Sequence, residues 1–383
     1  MIPYPHQKKF LSRNPNKALL NWEARVGKSL PASIWVDMPC RAGNTFIIST
    51  KQNKKDWIAF GTKATVLTKE EFRKVANSIS HPTAIVVDEI HNFASALFIK
   101  GRSQMATALY NFIKKYPDCD LLGLSATMIR QNAWSLHTVL CYSGIYYDWK
   151  WWREEFFQLT QMPFLQYPIW IPKPDWRIKI RPYLEKHCDI VSLKDIVAYL
   201  PPVESKIIKI KQKKYVRPTD EIVTWVDEHY WEQNGKLEEI LKLGYKKIIL
   251  VCKYTKQIDF LAEKLKDEKP VHILDGRTKD QSATKKLAQE SEECFFIVQS
   301  SMGETWDGWN FGCMVFVSLG HSCYQYTQMV GRQRHLEHLR IVEIIFLIGG
   351  RWDANIYKCV VELGKDFNPF IYLNESPRLT ETT

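Results

Sequence analysis

Two adjacent carboxylates close an apolar run, where Ala84-Ile85-Val86-Val87 leads into Asp88-Glu89-Ile90-His91. Such a β-branched run fits a buried parallel strand, and strands of that kind present their carboxyl ends to a ligand crevice. Acids placed there can divide two tasks. Asp88 is suited to hold Mg²⁺, directly or through water, and Glu89 to orient and deprotonate a water that attacks a terminal phosphate. Upstream, Val26-Gly27-Lys28-Ser29 follows a strand-like run and opens a helix-like one. Backbone N–H groups at such a helix start cradle phosphate oxygens, Lys28 reaches the β- and γ-phosphates, and Ser29 ligates Mg²⁺. Gly27 lets the backbone approach the nucleotide closely. The pattern GxxxxGK[ST] is incomplete, because Trp22 stands at its first position. Read together, these residues point to ATP and Mg²⁺ as cofactors and to Lys28 and Glu89 as catalytic groups.

Three further segments fit that chemistry. Gln7, within Tyr4-Pro5-His6-Gln7, carries an amide that can pair with adenine N6 and N7 and so select ATP. Ser125-Ala126-Thr127 ends a second apolar run. The Ser125 and Thr127 hydroxyls there could couple nucleotide state to strand movement, through Asp88 or a partner lobe. Gln328-Met329-Val330-Gly331-Arg332-Gln333-Arg334 brings two arginines near one site. Arginines of this kind neutralise charge on a transferring phosphoryl, an effect of roughly 10³–10⁵ in rate.

The 383 residues suit about two or three domains, and 45% hydrophobic content supports real cores. An excess of 53 Lys and Arg over 42 Asp and Glu, +11 in all, suits a polyanionic partner, nucleic acid first. Nine cysteines are dispersed without a CxxC pair, which withholds support from zinc ligation or a redox dithiol and reads as reduced cytosolic thiols. With no signal-peptide core at the N-terminus and no run of about 18 apolar residues, a soluble cytoplasmic protein that makes no membrane contact is expected.

Strand-like runs at 18–21, 45–49, 65–67, 84–87 and 121–124 alternate with helix-like stretches at 28–36, 54–60, 69–76 and 104–115. The alternation predicts a parallel sheet with helices on both faces. Residues 142–202 differ, being rich in tryptophan and proline, and read as an irregular crossing segment. Alternation resumes with strands at 206–210, 247–251, 272–274, 295–299, 314–318 and 341–347, and helices at 255–266, 279–290 and 324–331. Two α/β lobes joined through Leu200-Pro201-Pro202 are the economical model.

With these residues in place, the chain resembles superfamily 2 helicases and translocases, specifically the SWI/SNF-type DNA-dependent ATPases in a short phage-like form. Residues 4–7 look like the adenine-reading Q motif, 23–29 like motif I, 49–57 like motif Ia and 88–91 like motif II. Residues 124–132, with a trailing asparagine, resemble motif III. In the second half, 249–255 resemble motif IV, 303–310 motif V and 328–334 motif VI. Arg25 replaces the usual middle glycine of motif I. The spacing from Gly303 to Gly308 is longer than usual, and His335 occupies the usual place of the second motif VI arginine.

That resemblance implies an α/β fold of two tandem RecA-like lobes with parallel sheets and ATP in the inter-lobe cleft. The first lobe would span 1–202, the second 203–373, and 374–383 would be an unstructured tail. It implies that Gln7, Arg25, Gly27, Lys28, Ser29, Asp88, Gly308 and Arg334 bind the cofactor, Ser29 and Asp88 through Mg²⁺, while Arg332 completes catalysis. Thr50, Lys51, Lys54 and Lys55 from the first lobe, and Ser300, Ser301 and Thr305 from the second, would touch strand phosphates. Ser125, Thr127 and Gln328 would couple the two events. The expected activity is ATP-driven movement along nucleic acid, with duplex or branched DNA as the favoured partner. A DExH-type RNA helicase is the nearest alternative, and a hydrolytically silent nucleic-acid-binding scaffold is another.

Overall fold

The computed structural model describes residues 2–51, 53–95, 103–129, 132–162, 166–196, 203–210, 235–302, 308, 310–320, 322–333, 341–368 and 378–380. Two compact units divide the chain, one Met1–Ala198 with Asp366–Asn368, the other Tyr199–Lys365 with Pro369–Thr383. Leu200-Pro201-Pro202 and the basic run Lys211, Lys213, Lys214 and Arg217 lie outside the described residues.

The first unit is built on strands β1 (Lys17–Trp22), β2 (Asn44–Ser49), β3 (Thr65–Thr68), β4 (Pro82–Asp88) and β5 (Asp120–Ser125). Helices α1 (Pro5–Arg13), α2 (Ser29–Val36), α3 (Lys54–Ala59), α4 (Lys69–Val75) and α5 (Gln104–Lys115) precede or separate them. Local signals set these boundaries. Thr68 accepts from the Glu71 backbone N–H while Glu71 returns a bond to Thr68, a reciprocal cap that starts α4. Ser103 starts α5 with a one-way cap, its hydroxyl accepting from the Ala106 N–H, and Lys114 and Lys115 sit favourably in the last turn. With β8 (Asp189–Val191), the parallel sheet runs β3-β2-β4-β5-β1-β8. Its central strands are buried on both faces, which is why they read as continuous apolar runs.

The crossing segment is more regular than its proline content suggested. Preceded by α6 (Ala133–Tyr142), it holds α7 (Trp149–Phe156), α8 (Trp176–His187) and an antiparallel hairpin of β6 (Phe157–Thr160) and β7 (Ile169–Pro172). Every residue of α6 is buried, so it lacks the amphipathic period that betrays a helix. Pro182 lies inside α8, but on an exposed side where water can satisfy the carbonyl left without its donor. Trp152 is a core residue, packed at tilted and edge-on angles against Phe156, Tyr147 and Tyr183, whereas Trp151 is exposed.

The second unit carries β9 (Val203–Lys209), β10 (Lys247–Cys252), β11 (Val271–Leu274), β12 (Cys294–Gln299), β13 (Cys313–Phe316), β14 (Val342–Ile348) and β15 (Arg378–Thr380). Its helices are α9 (Lys236–Leu241), α10 (Thr255–Leu265), α11 (Gln281–Glu290), α12 (Cys323–Gly331) and α13 (Arg351–Tyr357). The order β11-β12-β10-β13-β14-β9-β15 is parallel throughout. Residues 378–380, expected in an unstructured tail, instead pair with β9 and occupy the sheet edge. Both units therefore have the predicted α/β architecture with parallel sheets. Among the described residues, no helix is long and apolar enough to cross a membrane.

Candidate active site

Strands β4, β5 and β1 are neighbours, and because they run parallel their carboxyl ends share one edge. The register pairs Asp88 with Leu124 and Asn21 with Ser125. Three motifs that are far apart in sequence therefore converge at one sheet edge: the loop after β1, the acids ending β4 and the hydroxyl ending β5. Gly123 makes this convergence possible. A Cβ there would lie 2.6 Å from Ile90 Cδ1 and 2.8 Å from Leu19 Cδ2, so only glycine admits the turn after Asp88 so close to β5.

The loop between β1 and α2 turns through two left-handed residues, Arg25 at φ 73° and Gly27 at φ 83°. Glycine takes this conformation freely, whereas arginine at Arg25 stores strain where the resembling family has glycine. Lys28 Nζ donates to the carbonyl oxygens of Trp22 (2.9 Å) and Glu23 (3.3 Å), laying the ammonium across the loop. Ser29 is the first residue of α2, so its hydroxyl stands at the helix start. Gln7 is buried and its Nε2 donates to the Gly27 carbonyl (2.8 Å), while its Oε1 accepts from the Tyr4 N–H (2.7 Å). This amide was expected to face adenine; in the structure it braces the loop, and a Cβ on Gly27 would lie 2.7 Å from it.

The two acids sit in opposite electrostatic settings. Asp88 is buried, and burial, reinforced by the charge of Glu89, raises its carboxyl above the ordinary range despite neutral donors from Ser49, Trp57 and Asn53. Burial alone would also raise Glu89. The His91 ring, with Lys28 and Lys69, outweighs it and holds the Glu89 carboxyl below its ordinary value. Glu89 adopts a left-handed backbone (φ 51°) and brings Oε2 within 3.2 Å of His91 Nδ1. His91 Nδ1 also lies 2.8 Å from Ser125 Oγ, which accepts from the Thr127 N–H at 2.8 Å. Ser125 thus reaches His91 rather than Asp88, linking the third motif to Glu89 through an imidazole that sequence reasoning had not singled out.

Buried polar atoms with no hydrogen-bond partner among the described residues also gather in these segments: Asn21 Oδ1 near the end of β1, Asn92 Nδ2 after the acids and Thr127 Oγ1 after β5. Each such atom costs about 1–3 kcal/mol unless something polar meets it. Retaining three at one sheet edge suits a site built for a polar ligand.

The remaining candidates fall into two groups. On the first unit, Lys51 and Lys55 are exposed, Thr50 is half-buried, and Lys54 is ion-paired to Glu71 at 2.8 Å. On the second, Gly308 donates its N–H to the Arg332 carbonyl (2.9 Å), which joins the fifth and sixth motifs. Arg332 caps the end of α12, and Gln328 is buried within it. Ser301 is exposed but Ser300 is buried, a poor position for a phosphate contact. Thr305 and Arg334 lie outside the described residues, as does His335.

No protein-family model matches the chain, and no curated protein matches it. Among solved structures, Dbp5 of S. cerevisiae, bound to RNA and ADP BeF3, matches over 98% of this chain and 90% of its own, with a TM-score of 0.56 and 13% identity. The fold is therefore shared with that structure, two RecA-like α/β lobes with parallel sheets. The comparison also corrects one expectation. DNA was the favoured partner on sequence grounds, but Dbp5, a solved protein of like architecture, is bound to RNA, so the preference for DNA is withdrawn.

Proposed function

We propose that the chain is an ATP-dependent superfamily 2 motor acting on RNA, with hydrolysis at the carboxyl edge of the first unit's sheet. The observation that carries this reading is the acid pair beside the phosphate loop, one carboxyl raised and uncompensated, the other held ionised by His91 and Lys28. In this reading Lys28 and the backbone at Gly27 take the β- and γ-phosphates, Arg25 adds a second cation, and Gln7 joins adenine recognition to the loop it braces. The residues fit Mg²⁺: Asp88 Oδ1 receives no hydrogen bond among the described residues, and Ser29 supplies a hydroxyl. When bound, the metal would supply positive charge that offsets the charge of the phosphates. Glu89, already ionised, takes the proton of the attacking water, and His91 and Ser125 hold it in position.

From the second unit, Arg332 is assigned the charge-neutralising role, with Gly308 and Arg334 beside the nucleotide and Gln328 coupling. Thr50, Lys51, Lys54 and Lys55, with Ser301 and Thr305, form the proposed phosphate contacts, and buried Ser300 is left out. Such contacts position a strand without reading bases, which suits movement along any sequence. The RNA in the solved protein of like fold and the +11 charge support the choice of partner. The SWI/SNF-type motif details are proposed as ancestry within superfamily 2, not as a guide to substrate.

ATP turnover measured with and without polyuridylate tests this reading. RNA is expected to stimulate turnover, and Lys28→Ala is expected to abolish both nucleotide binding and stimulation. Undiminished turnover in Lys28→Ala would remove the site assignment, and stimulation by DNA alone would remove RNA as the partner.

A further inference from the structure

One oxygen of Asp88 receives three hydrogen bonds, and all three come from the segment that leaves β2 and enters α3. Ser49 Oγ donates at 2.7 Å, Trp57 Nε1 at 3.2 Å and Asn53 Nδ2 at 3.3 Å, each to Oδ2. Oδ1 receives none among the described residues. The carboxylate is thus divided, with one oxygen tied to this segment and the other left for a cation. Asn53 and Trp57 are four residues apart, so at the start of α3 they share a face. Elsewhere on the segment, Lys51 and Lys55 are exposed.

Three hydrogen bonds link the two faces through the backbone of described residues. The Asn53 N–H donates to Thr50 Oγ1 (3.2 Å), the Lys54 N–H to the Thr50 carbonyl (3.0 Å) and the Trp57 N–H to the Asn53 carbonyl (3.0 Å). Lys54 is further anchored to Glu71. A buried indole N–H needs a partner, and Trp57, almost wholly buried, has Asp88. Any restraint on the Thr50–Lys55 side therefore reaches the carboxylate through two donors on the other side.

Building on the function proposed above, we infer that Asn53 and Trp57 are positioning residues through which an RNA strand held at Thr50, Lys51 and Lys55 orients Asp88 for its cation. Coupling of this kind is reciprocal: nucleotide with its metal must tighten RNA by the factor by which RNA tightens nucleotide. Trp57→Phe removes the N–H but keeps an apolar ring. Asn53→Ala removes the second donor at a half-buried position, where a failure to fold is not expected.

Two readouts on the full chain distinguish coupling from general damage. The first is the ratio of ATP turnover with saturating polyuridylate to turnover without it. The second is the affinity for a labelled uridine oligomer, with and without ADP and beryllium fluoride. Each variant should lower the stimulation ratio by about fivefold or more, at the lower bound of ordinary coupling. Nucleotide should then barely tighten RNA, while nucleotide-free RNA affinity stays within about twofold because Lys51 and Lys55 remain. The inference is overturned if both variants keep the parent's ratio and tightening, or if they lose nucleotide-free affinity as well. A parent chain that ignores RNA would instead bring down the functional reading itself.

Discussion

Asp88 ends a central strand of one parallel sheet and Asp275 follows the edge strand of the other; both are buried, yet their surroundings differ in kind. Burial would raise Asp275, but Arg277 binds its Oδ2 through Nε (3.0 Å) and Nη2 (2.7 Å), and backbone donors add to this, so its carboxyl falls below the ordinary range. Asp88 has only a hydroxyl, an amide and an indole, and its carboxyl rises. A charge neutralised within its own unit serves structure. One left to neutral donors is set for a cation from outside. The same sheet architecture thus carries either role, and the loop residues decide which.

The largest expected effect separates the two aspartates directly. Asp88→Asn should cost ATP turnover about 10³-fold or more, as loss of metal-centred charge stabilisation does. Its chemical-denaturation stability should hold or rise by about 0.5–2 kcal/mol, since an uncompensated buried charge is gone. Asp275→Asn should do the reverse, losing about 1–3 kcal/mol of stability with turnover per folded molecule near the parent value. Equal behaviour of the two variants would break the comparison.

Arg25 sharpens it from the side of backbone strain. Replacing it by glycine relieves a left-handed arginine and should gain about 1 kcal/mol of stability. The KM for ATP should rise if the guanidinium contacts phosphate; an unchanged KM with higher stability would reduce Arg25 to a strained bystander.

Smallest is a pH effect remote from the acids. Burial lowers the pKa of His137, whose Nε2 lies 3.0 Å from the Tyr147 carbonyl. A depressed histidine favours folding fully above the unfolded value of about 6.5, and that contribution is lost as pH falls below it, because the unfolded chain takes up the proton first. Denaturation midpoints should decline from about pH 6.5 downwards, and His137→Gln should flatten that decline.

Much of this was legible in the sequence because the informative signals are local. The β-branched run before Asp88 announces its strand, and Lys28-Ser29 announces a helix start; α5 appears with its expected bounds. What escaped depends on neighbours distant in the chain. His91 meets Ser125 only because β4 and β5 pair, and Asn53 and Trp57 meet Asp88 only because β2 lies on the other side of β4. The i, i+4 spacing of Asn53 and Trp57 was visible, but nothing local said what they faced. Helix α6 escaped for another reason: burial on all sides erased its period.

Glu89 offers the most direct test of the account. Steady-state ATP hydrolysis should be compared between the parent chain and Glu89→Gln, each with saturating polyuridylate and matched for nucleotide binding. A fall in turnover of about 10²–10⁴-fold, with nucleotide affinity retained, is the result predicted for a positioned base. Turnover in Glu89→Gln equal to that of the parent would contradict it.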